Sequence, residues 1–535
     1  MTDLRKLSYR AATELDAVRQ VAKAGVLHVE SPIKMAARLQ ALRRFGPVGG
    51  GLAGAALSHA TRTGLIDERG SLTFGELDGR SNALANAWRA EGIAEGARIG
   101  ILCRNHRGAV DVTMACAKLG ARALYLNTDF SAPQALDVCA RENVEVLVYD
   151  EEFEPVLADV PAPRGRYLAW TDGATSTLEE LAGSGSDRLS APPARPGALV
   201  LLTSGTTGTP KGAPRPQPKS LALPGGLLSR IPFRNDGPMY VAPPMFHGWG
   251  LLTSLVGLAM GAPLVVRRRF DPKVFLDDLE THRVAAAVVV PVMLKRVLAL
   301  GADEINARDL SALRIIASSG SQLEAALAKR TMEAFGDVLY NLYGSTECAY
   351  ATIATPEDLR EAPGSVGKAP FGTRVRILDV DGAELPQGET GRIFVESPAQ
   401  FGGYTDGRNK EIVRGMMSSG DLGHLDADGR LWVEGRDDDM IVSGGENVFP
   451  QEIEELLIAH PEIADVAVIG VDDEEFGKAL RAFVVRAPGS AITEDDIRQH
   501  VKDNLARYKV PRTVVFLDEL PRNPTGKVLK RQLAG

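Results

Sequence analysis

The sequence predicts an α/β protein with a large N-terminal part built on parallel-rich α/β subdomains and a small α+β part at its C-terminus. Three observations support this prediction. The chain has 535 residues, too many for one ordinary core. From about residue 72, short apolar runs alternate with helical stretches, a pattern typical of parallel sheets. After residue 435, a compact set of strands and helices fills the remaining chain, which is long enough for a separate domain.

The first 60 residues interleave apolar and charged residues at helical spacing, which predicts amphipathic helices. Within them, the glycine-rich run Gly46–Gly54 has no preceding strand and no acidic residue on a following strand. We therefore interpret it as a loop or helix break, not as a dinucleotide-binding loop. Short apolar runs then predict buried strands at Ile99–Leu102, Ala123–Leu126, Glu145–Tyr149, Ala198–Leu202, Pro263–Val266, Ala285–Val290 and Arg314–Ala317.

The C-terminal part has a different order of elements, a compact α+β pattern in which strands and helices do not alternate regularly. Helices are predicted at Pro450–His460 and Ile497–Leu505. Strands are predicted at Met440–Val442, Ile463–Val471, Leu480–Val485 and Val514–Phe516. We therefore divide the chain into an N-terminal domain, residues 1–435, and a C-terminal domain, residues 436–535.

The composition excludes some classes of protein. The net charge of −8 argues against a nucleic-acid-binding protein, which usually carries a basic patch. The four cysteines are scattered without metal-ligand spacing and no signal peptide is recognisable, so we expect a reduced, cytoplasmic protein. The uncharged stretch Gly248–Val266 could span a bilayer by length, but its glycines and Pro263 favour a buried helix running into a strand. We predict no transmembrane segment; a peripheral membrane contact and a homodimer stay open.

The segment Thr203–Gly212 follows an apolar run and combines five hydroxyl side chains with Lys211. A Ser/Thr/Gly loop can turn tightly and direct several backbone N–H groups at an anion. Because Pro210 precedes the lysine and Gly212 follows it, this is not the phosphate loop of P-loop NTPases. A phosphate cradle of another kind is the interpretation that we favour over a flexible surface linker.

This segment, TSGTTGTPKG, resembles the phosphate loop of the adenylate-forming superfamily, which contains acyl- and aryl-CoA ligases, adenylation domains and luciferases. The resemblance extends from about Leu72 to Lys530. It implies a small C-terminal domain that is mobile about a hinge at Asp438, and it implies ATP, Mg²⁺ and CoA as the small molecules used. By this resemblance, the phosphates contact Thr203, Ser204, Gly205, Thr206, Thr207, Gly208 and Lys211.

The segment Asn341–Glu347, NLYGSTE, resembles the YGxTE motif of the same family. The resemblance implies that Thr346 bonds the α-phosphate and that Glu347 holds Mg²⁺, a hard ion that prefers oxygen ligands. It places the adenine against Asn341, Tyr343 and Gly344. The segment Ser319–Gln322 stands where relatives carry GGAP and departs from that pattern. The resemblance assigns further nucleotide contacts to Gly320, Ser321 and Gln322.

Two motifs nearer the C-terminus complete the implied nucleotide site. Ser419–Asp421 and Gly435–Asp439 resemble the ribose clamp, which places Asp421 and Arg436 on the nucleotide. The segment PRNPTGK resembles the catalytic lysine motif, so Lys527 is expected to neutralise charge during attack on the α-phosphorus and to contact the nucleotide. The resemblance assigns the pantetheine arm of CoA to Ser443, Gly444 and Gly445.

The segment PMFHGW resembles the aromatic gate motif beside the acyl group. His247 is a catalytic candidate as this gate, with a core histidine as the alternative. The predicted acyl pocket contains His247, Gly248, Trp249 and Gly320. Three apolar residues line this pocket or belong to the core: Val289, Pro291 and Met293.

Together these motifs imply an AMP-forming acid–thiol ligase that activates a small-molecule carboxylic acid with ATP and transfers the acyl group to CoA. No charged side chain is evident in the acyl segments, so a medium- or long-chain fatty acid is favoured, although a bulky terpenoid or steroid acid would leave the same pattern. Loading of a carrier protein, catalysis of only one half-reaction, and a non-catalytic nucleotide- or acyl-binding relative are the alternatives.

Overall fold

The computed structural model describes residues 3–26, 31–173, 176–189, 191–203, 211–215, 220–398, 400–437, 441–443, 446–473, 477–523 and 526–533. Two helices open the chain, α1 (Asp3–Lys23) and α2 (Pro32–His59). The hydroxyl of Ser31 accepts a hydrogen bond from the backbone of Lys34 and caps α2, and Pro32 fills its first turn, where no N–H is needed.

The glycine-rich run within α2 corrects part of our interpretation. Gly46 has a φ of 68° and breaks the helix, as predicted, but the residues after it are helical and not a loop. The physical reason is close packing, because a Cβ at Gly51 would lie 2.9 Å from the Cβ of Ala259 on a neighbouring helix. Glycine is retained in this helix where two backbones approach each other.

The chain next forms a six-stranded sheet in the order β6-β5-β3-β4-β7-β8, parallel except for the β7–β8 pair. The strand predictions between residues 99 and 202 are confirmed. In chain order, this part of the chain contains β1 (Thr63–Asp67), β2 (Gly70–Thr73), α3 (Phe74–Ala90), β3 (Arg98–Leu102), α4 (Arg107–Leu119), β4 (Arg122–Tyr125), α5 (Ala132–Arg141), β5 (Val146–Asp150), α6 (Glu154–Leu157), β6 (Arg166–Trp170), α7 (Thr177–Ser184), β7 (Ala198–Thr203) and β8 (Lys211–Arg215). Of these strands, β1 and β2 belong to the second sheet.

An eight-stranded sheet follows, in the order β14-β13-β12-β11-β9-β10-β1-β2, with antiparallel pairs only at its two ends. Its inner strands read as continuous apolar runs because helices cover both faces. The elements are α8 (Ala222–Arg230), β9 (Met239–Val241), α9 (Gly248–Met260), β10 (Leu264–Val265), α10 (Pro272–Thr281), β11 (Ala286–Val289), α11 (Pro291–Leu298), α12 (Ala302–Asn306), β12 (Ile315–Ser318), α13 (Ala325–Phe335), β13 (Leu339–Tyr343), β14 (Thr352–Ala354) and α14 (Pro356–Glu361).

The uncharged stretch Gly248–Val266 forms α9 and β10, as predicted. Among the described residues, no helix combines the length and the apolarity needed to cross a membrane. A buried ion pair joins the two sheets, since Arg107 at the start of α4 donates to Asp67 of β1 over 2.6 Å. Removing either partner would leave a buried charge uncompensated.

A third sheet, not predicted from the sequence, is antiparallel and lies between residues 374 and 436. It places Asp421 directly opposite Arg436 on neighbouring strands. Its strands are β15 (Arg374–Leu378), β16 (Gly391–Glu396), β17 (Ile412–Val413), β18 (Met416–Leu425) and β19 (Leu431–Arg436).

The C-terminal part has the predicted α+β pattern and its own apolar core, which includes Ile453, Val468, Val484 and Ile497. A hairpin, β20–β21, precedes a three-stranded sheet in the order β22-β23-β24. The elements are β20 (Ile441–Ser443), β21 (Glu446–Val448), α15 (Pro450–Ile458), β22 (Ile463–Asp473), β23 (Gly477–Arg486), α16 (Glu494–Asn504), β24 (Thr513–Phe516) and α17 (Lys530–Leu533); short 3₁₀ turns lie at Glu151–Phe153 and Arg507–Lys509.

The four cysteines are free thiols, and each is buried in the large N-terminal part, with at most 4% of its surface exposed. Burial raises the pKa of the Cys103, Cys116 and Cys139 thiols. They act as small apolar core residues.

Candidate active site

One cleft of about 1880 Å³ is lined by both the N-terminal and the C-terminal parts of the chain. Side chains reach it from the ends of β13 and β19, from the middle of β18, from α9 and from the loop that carries Lys527. The carboxyl ends of parallel strands commonly form ligand sites in α/β proteins. Several of the predicted polar residues that the structure describes line this cleft.

The end of β13 supplies a polar and an aromatic residue. Asn341 is 4% exposed, and its Oδ1 has no hydrogen-bond partner among the described residues. An unsatisfied buried acceptor is costly, so this atom is suited to a donor on a ligand. Tyr343 donates its hydroxyl to Oδ2 of Asp421. Burial and the Asp421 carboxylate raise the pKa of Tyr343, which keeps the phenol neutral and able to donate.

Asp421 is a buried carboxylate facing several cations. Its Oδ1 lies 3.4 Å from Nη1 of Arg436. Burial raises the pKa of Asp421, whereas the hydrogen bond from Tyr343 and the charges of Arg436, Lys410 and Lys527 lower it. The effect of burial is the larger, so the pKa of Asp421 stays above its ordinary value, and the neighbouring cations limit that rise.

Glu347 lies at the other side of the cleft and is 7% exposed. Its Oε1 accepts a hydrogen bond of 2.6 Å from the hydroxyl of Tyr404. The Nζ of Lys211 stands 5.2 Å from the centre of the same tyrosine ring, a cation–π distance. Tyr404 thus connects the strand after the predicted phosphate loop to the predicted metal ligand. Sequence reasoning missed Tyr404, and no motif around it marks the residue.

Lys527 enters the cleft from the C-terminal part. Its backbone N–H donates to Oδ1 of Asn523 over 2.8 Å, which holds the loop. Gly526 has a φ of +80° and packs on Val292 of α11 so closely that a Cβ there would collide with Val292. Glycine is needed at this position both for the positive φ and for the approach to the large domain.

An interdomain polar cluster lies beside this loop, where α11 and α13 of the large part face α15 and β22 of the small part. Lys295 contacts Glu324 at 2.9 Å and Asp465 at 3.6 Å, and Asp465 also accepts from Arg522 at 2.5 Å. Gln322, a predicted nucleotide contact, donates to Glu455 over 2.7 Å. The neighbouring Gly320 and Ser321 line the cleft.

The acyl-pocket candidates lie on the apolar side of the cleft. His247 precedes α9, and its Nε2 has no hydrogen-bond partner among the described residues. Burial lowers the pKa of His247 to about 4, so the imidazole is neutral at neutral pH. Trp249 donates to the carbonyl of Val289 over 3.2 Å. Pro291 lines the cleft, whereas Val289 and Met293 belong to the apolar core.

Other predicted positions can be placed only in part. Gly248, Gly344 and Thr346 line the cleft. Thr203 ends β7 opposite Lys211, so the two strands flank the phosphate loop. The residues of that loop, the hinge and two pantetheine candidates lie outside the described residues: Ser204, Gly205, Thr206, Thr207, Gly208, Asp438, Gly444 and Gly445. Ser443 ends β20, with its backbone alone described.

A second group of reactive side chains, Cys103, His106 and Asp150, is buried elsewhere in the large domain. Nε2 of His106 lies 2.7 Å from Asp150, and Nδ1 accepts a bond of 3.0 Å from the N–H of Gly108. Both ring nitrogens are therefore used, and neither has a lone pair left for a metal. This group is a structural network.

Comparison with known proteins gives the same picture. A family model described as "AMP-binding enzyme" matches residues 52–405, and a second one, described as "AMP-binding enzyme C-terminal domain", matches residues 452–527. An indoleacetate–CoA ligase of Aromatoleum aromaticum is 34% identical over 479 residues, which are 86% of this chain and 92% of that protein. A fatty acid–[acyl-carrier-protein] ligase of Streptomyces coeruleorubidus is 30% identical over 485 residues, with coverages of 88% and 93%.

Among solved structures, the o-succinylbenzoate CoA synthetase of Bacillus subtilis, in complex with its acyl-adenylate intermediate, superposes with a TM-score of 0.79. It is 27% identical, and the match covers 91% of this chain and 98% of that one. Fold and cleft therefore define an adenylate-forming enzyme of the acyl-CoA synthetase type, an AMP-forming acid–thiol ligase. The chain belongs to the AMP-binding enzyme family.

Proposed function

We propose that this enzyme activates a hydrophobic carboxylic acid with ATP as an acyl-adenylate and transfers the acyl group to CoA. The observation that carries the proposal is one cleft in which Asp421, Arg436, Glu347 and Lys527 converge beside an apolar channel. The polar side of the cleft suits a nucleotide, and the apolar side suits an acid without charge on its far end. Both substrates would meet where these two sides join.

In the first half-reaction, a carboxylate oxygen of the acid attacks the α-phosphorus of ATP, and the bond to pyrophosphate breaks. Lys527 would neutralise the negative charge that builds up on the phosphate oxygens, and Thr346 would hydrogen-bond the α-phosphate. Asp421 would accept from the ribose hydroxyls with Arg436 beside it. The unsatisfied Oδ1 of Asn341 supports this arrangement, because it is suited to the amino group of adenine stacked on Tyr343.

Glu347 has the side chain expected of a Mg²⁺ ligand. A carboxylate is a preferred ligand of this ion, and the hydrogen bond from Tyr404 would hold Glu347 in place. When bound, the ion would supply positive charge to the phosphates of ATP.

In the second half-reaction, the thiol of CoA attacks the acyl carbonyl, and AMP leaves. We propose that the C-terminal domain, residues 436–535, turns about Asp438 between the two steps. Lys527 would then leave the cleft, and Ser443, Gly444 and Gly445 would face the pantetheine arm. No protein nucleophile is needed, because the adenylate is itself the activated acid.

A medium- or long-chain fatty acid is the acid that we favour. His247 would be neutral in the cleft, and the stretch beyond it is apolar. A bulky apolar acid would fit the same chemistry, and a carrier protein in place of CoA is the second candidate, favoured by the name of the relative that loads one. The cytoplasm, where ATP and CoA are present, is the proposed location; a homodimer and a membrane contact stay predictions.

The test is an assay of the two half-reactions with a panel of fatty, aryl and terpenoid acids. Pyrophosphate release without CoA measures adenylation, and thioester formation from a synthetic acyl-adenylate measures transfer. Lys527→Ala should lower adenylation by about a hundredfold or more and transfer far less, whereas Lys478→Ala, on an exposed strand of the same domain, should change neither. Equal loss of both half-reactions in Lys527→Ala would contradict the role given to this residue.

Absence of pyrophosphate release with every acid would instead favour a non-catalytic or single-step relative. Transfer to a purified acyl carrier protein but not to CoA would favour the carrier-loading alternative. Each outcome therefore separates one reading of the site from the others.

A further inference from the structure

The first two helices lie mostly outside the matched family region, which begins at residue 52. They are nevertheless docked tightly on the large domain. A Cβ at Gly225 of α8 would lie 2.5 Å from the Cβ of Ala17 on α1, and one at Gly51 of α2 would lie 2.9 Å from that of Ala259 on α9. Such close helix approaches fix the position of α1 and α2, which we call the N-terminal helix pair.

One face of α9 is turned to the cleft. Leu252, Leu255, Val256 and Ala259 recur at helical spacing, are only half-buried, and all line the cleft. Leu251 and Met260 flank this stripe and also line the cleft although they are buried, whereas Leu258 is buried away from it. The part of the stripe ahead of Ala259, which packs on Gly51 of α2, extends along the helix for about 12 Å from Gly248, given a rise of about 1.5 Å per residue. An acid held at His247 would extend along this stripe.

The N-terminal helix pair forms a second wall of the cleft, beside the point where α2 packs on α9. Val21 of α1 and Leu39, Leu42, Val48 and Gly54 of α2 line the same cleft. Arg38 is the charged residue among the described lining residues of α1, α2, α8 and α9. Its Nη2 donates to the carbonyl of Val26 over 2.6 Å, and its stem lies within 4 Å of where a Gly54 Cβ would be. The guanidinium is thus turned to the backbone, and its methylenes add to the apolar wall.

We propose that the N-terminal helix pair and the α9 stripe form the distal half of the acyl channel, and that the acid is a long, straight apolar chain. The inference rests on the proposed function. Leu39 and Leu42 are 50% and 42% exposed although they line the channel, so its outer end opens to solvent. A channel that is apolar along its length and open at its end favours extended chains over bulky ring acids.

The experiment changes the side chains that the N-terminal helix pair contributes to the channel. Gly54→Leu places a side chain in the distal half, and Leu39→Ala/Leu42→Ala removes apolar contact at the outer end, where exposed positions tolerate change. Leu57→Ala is the matched control, because Leu57 lies on α2, is 45% exposed and does not line the cleft. Adenylation of hexanoate, dodecanoate and palmitate is measured as kcat/KM for each variant.

We expect Gly54→Leu to lower kcat/KM for palmitate by about tenfold or more, equivalent to about 1.4 kcal/mol, and to leave hexanoate within about twofold. The double alanine variant should lower palmitate by about threefold, and Leu57→Ala should leave the palmitate-to-hexanoate ratio unchanged. An equal ratio in all three variants would overturn the proposal.

Binding without ATP keeps this outcome separate from failure of the proposed function. Parinaric acid, a fluorescent long-chain acid, should bind the unmodified protein and be displaced by palmitate. Gly54→Leu should weaken that binding by about tenfold even if no acid is adenylated. Unchanged binding in Gly54→Leu and in the double alanine variant would overturn the channel itself, whereas weakened binding without pyrophosphate release would overturn only the catalytic proposal.

Discussion

The neutral imidazole of His247, whose Nε2 is shielded from solvent, shows how a single residue makes stability depend on pH. Its pKa is about 4 in the folded protein because burial disfavours the charged ring, whereas an exposed histidine has a pKa near 6.5. Between these two values the unfolded chain binds the proton more tightly than the folded one. Lowering the pH through this window therefore favours unfolding.

We expect the free energy of unfolding to fall by up to about 3 kcal/mol between pH 6.5 and pH 4 through this residue, at about 1.36 kcal/mol per pKa unit. His247→Phe should reduce that pH dependence while retaining an aromatic ring beside Phe246. Urea unfolding at several pH values, compared with His282→Phe just after α10, where the side chain is 22% exposed beside Asp278, measures the difference. Equal pH dependence in all three proteins would show that His247 is not shielded from solvent as described.

Sequence reasoning named some of the polar residues that line the cleft but could not assign their partners. Asp421 and Arg436 were predicted together from their motifs, and the antiparallel pairing of β18 and β19 places them opposite each other. Gln322 was predicted from its position alone, and its side chain reaches Glu455, which lies 133 positions further along the chain. A partner that far away depends on how the two domains meet, and no local pattern encodes it.

At the scale of elements, the crossing of α2 and α9 depends on glycine. We expect Gly51→Ala to destabilise the protein by about 1–3 kcal/mol, because its Cβ would stand 2.9 Å from that of Ala259. Ala259→Gly in the same chain should restore much of the loss, as expected for residues in contact.

Gly183→Ala is the control for this substitution. Gly183 lies in α7 with no atom within 4 Å of the added Cβ, so alanine there should stabilise the helix by roughly 0.5–1 kcal/mol. Thermal unfolding of the three variants and the double variant measures these effects. A stabilising Gly51→Ala would contradict the close crossing.

The strands that were predicted and the strands that were missed differ in their environment. The inner parallel strands are covered by helices on both faces, so most of them read as apolar runs. The inner strand β9 (Met239–Val241) is also buried but has only three residues, and it was missed. The third sheet contains strands such as Met416–Leu425, where Gly420 and Asp421 interrupt the apolar residues. Its glycines and charged residues serve the cleft, and they remove the alternation that would indicate a strand.

At the scale of the whole molecule, the interdomain polar cluster stabilises the pose in which Lys527 is in the cleft. Asp465 of the small domain contacts Lys295 of the large domain and Arg522 of its own loop. These groups are about one-fifth to one-quarter exposed, so each contact contributes about 0.2–1 kcal/mol. Energies of this size shift a domain equilibrium without locking it.

Asp465→Ala should therefore lower adenylation about three- to fivefold and leave transfer from a supplied acyl-adenylate unchanged or slightly faster. Asp472→Ala is the matched control, because Asp472 pairs only with Lys478 on the surface of the same small domain within the described residues. The two half-reactions are assayed separately for each variant. A parallel loss of both in Asp465→Ala would indicate general damage to the small domain and would contradict a role in the pose.

The two-part organisation was predictable from length and from the change of pattern near residue 435, but the pose was not. It depends on Gly526 meeting Val292, two residues far apart in sequence that share no local signal. The N-terminal helix pair was predicted to be helical, but the surface on which it packs was not predicted. Amphipathic spacing identifies a helix, whereas the surface that it packs on is chosen by shape.

The burial of all four cysteines has a consequence for an enzyme whose proposed acceptor is itself a thiol. The attacking sulfur would meet no protein sulfur on its way in, so exchange with oxidised CoA or glutathione has no partner on this chain. The enzyme could then work through swings of cellular redox state that inactivate proteins with exposed thiols. The thiol that takes part in the reaction would then be that of CoA alone.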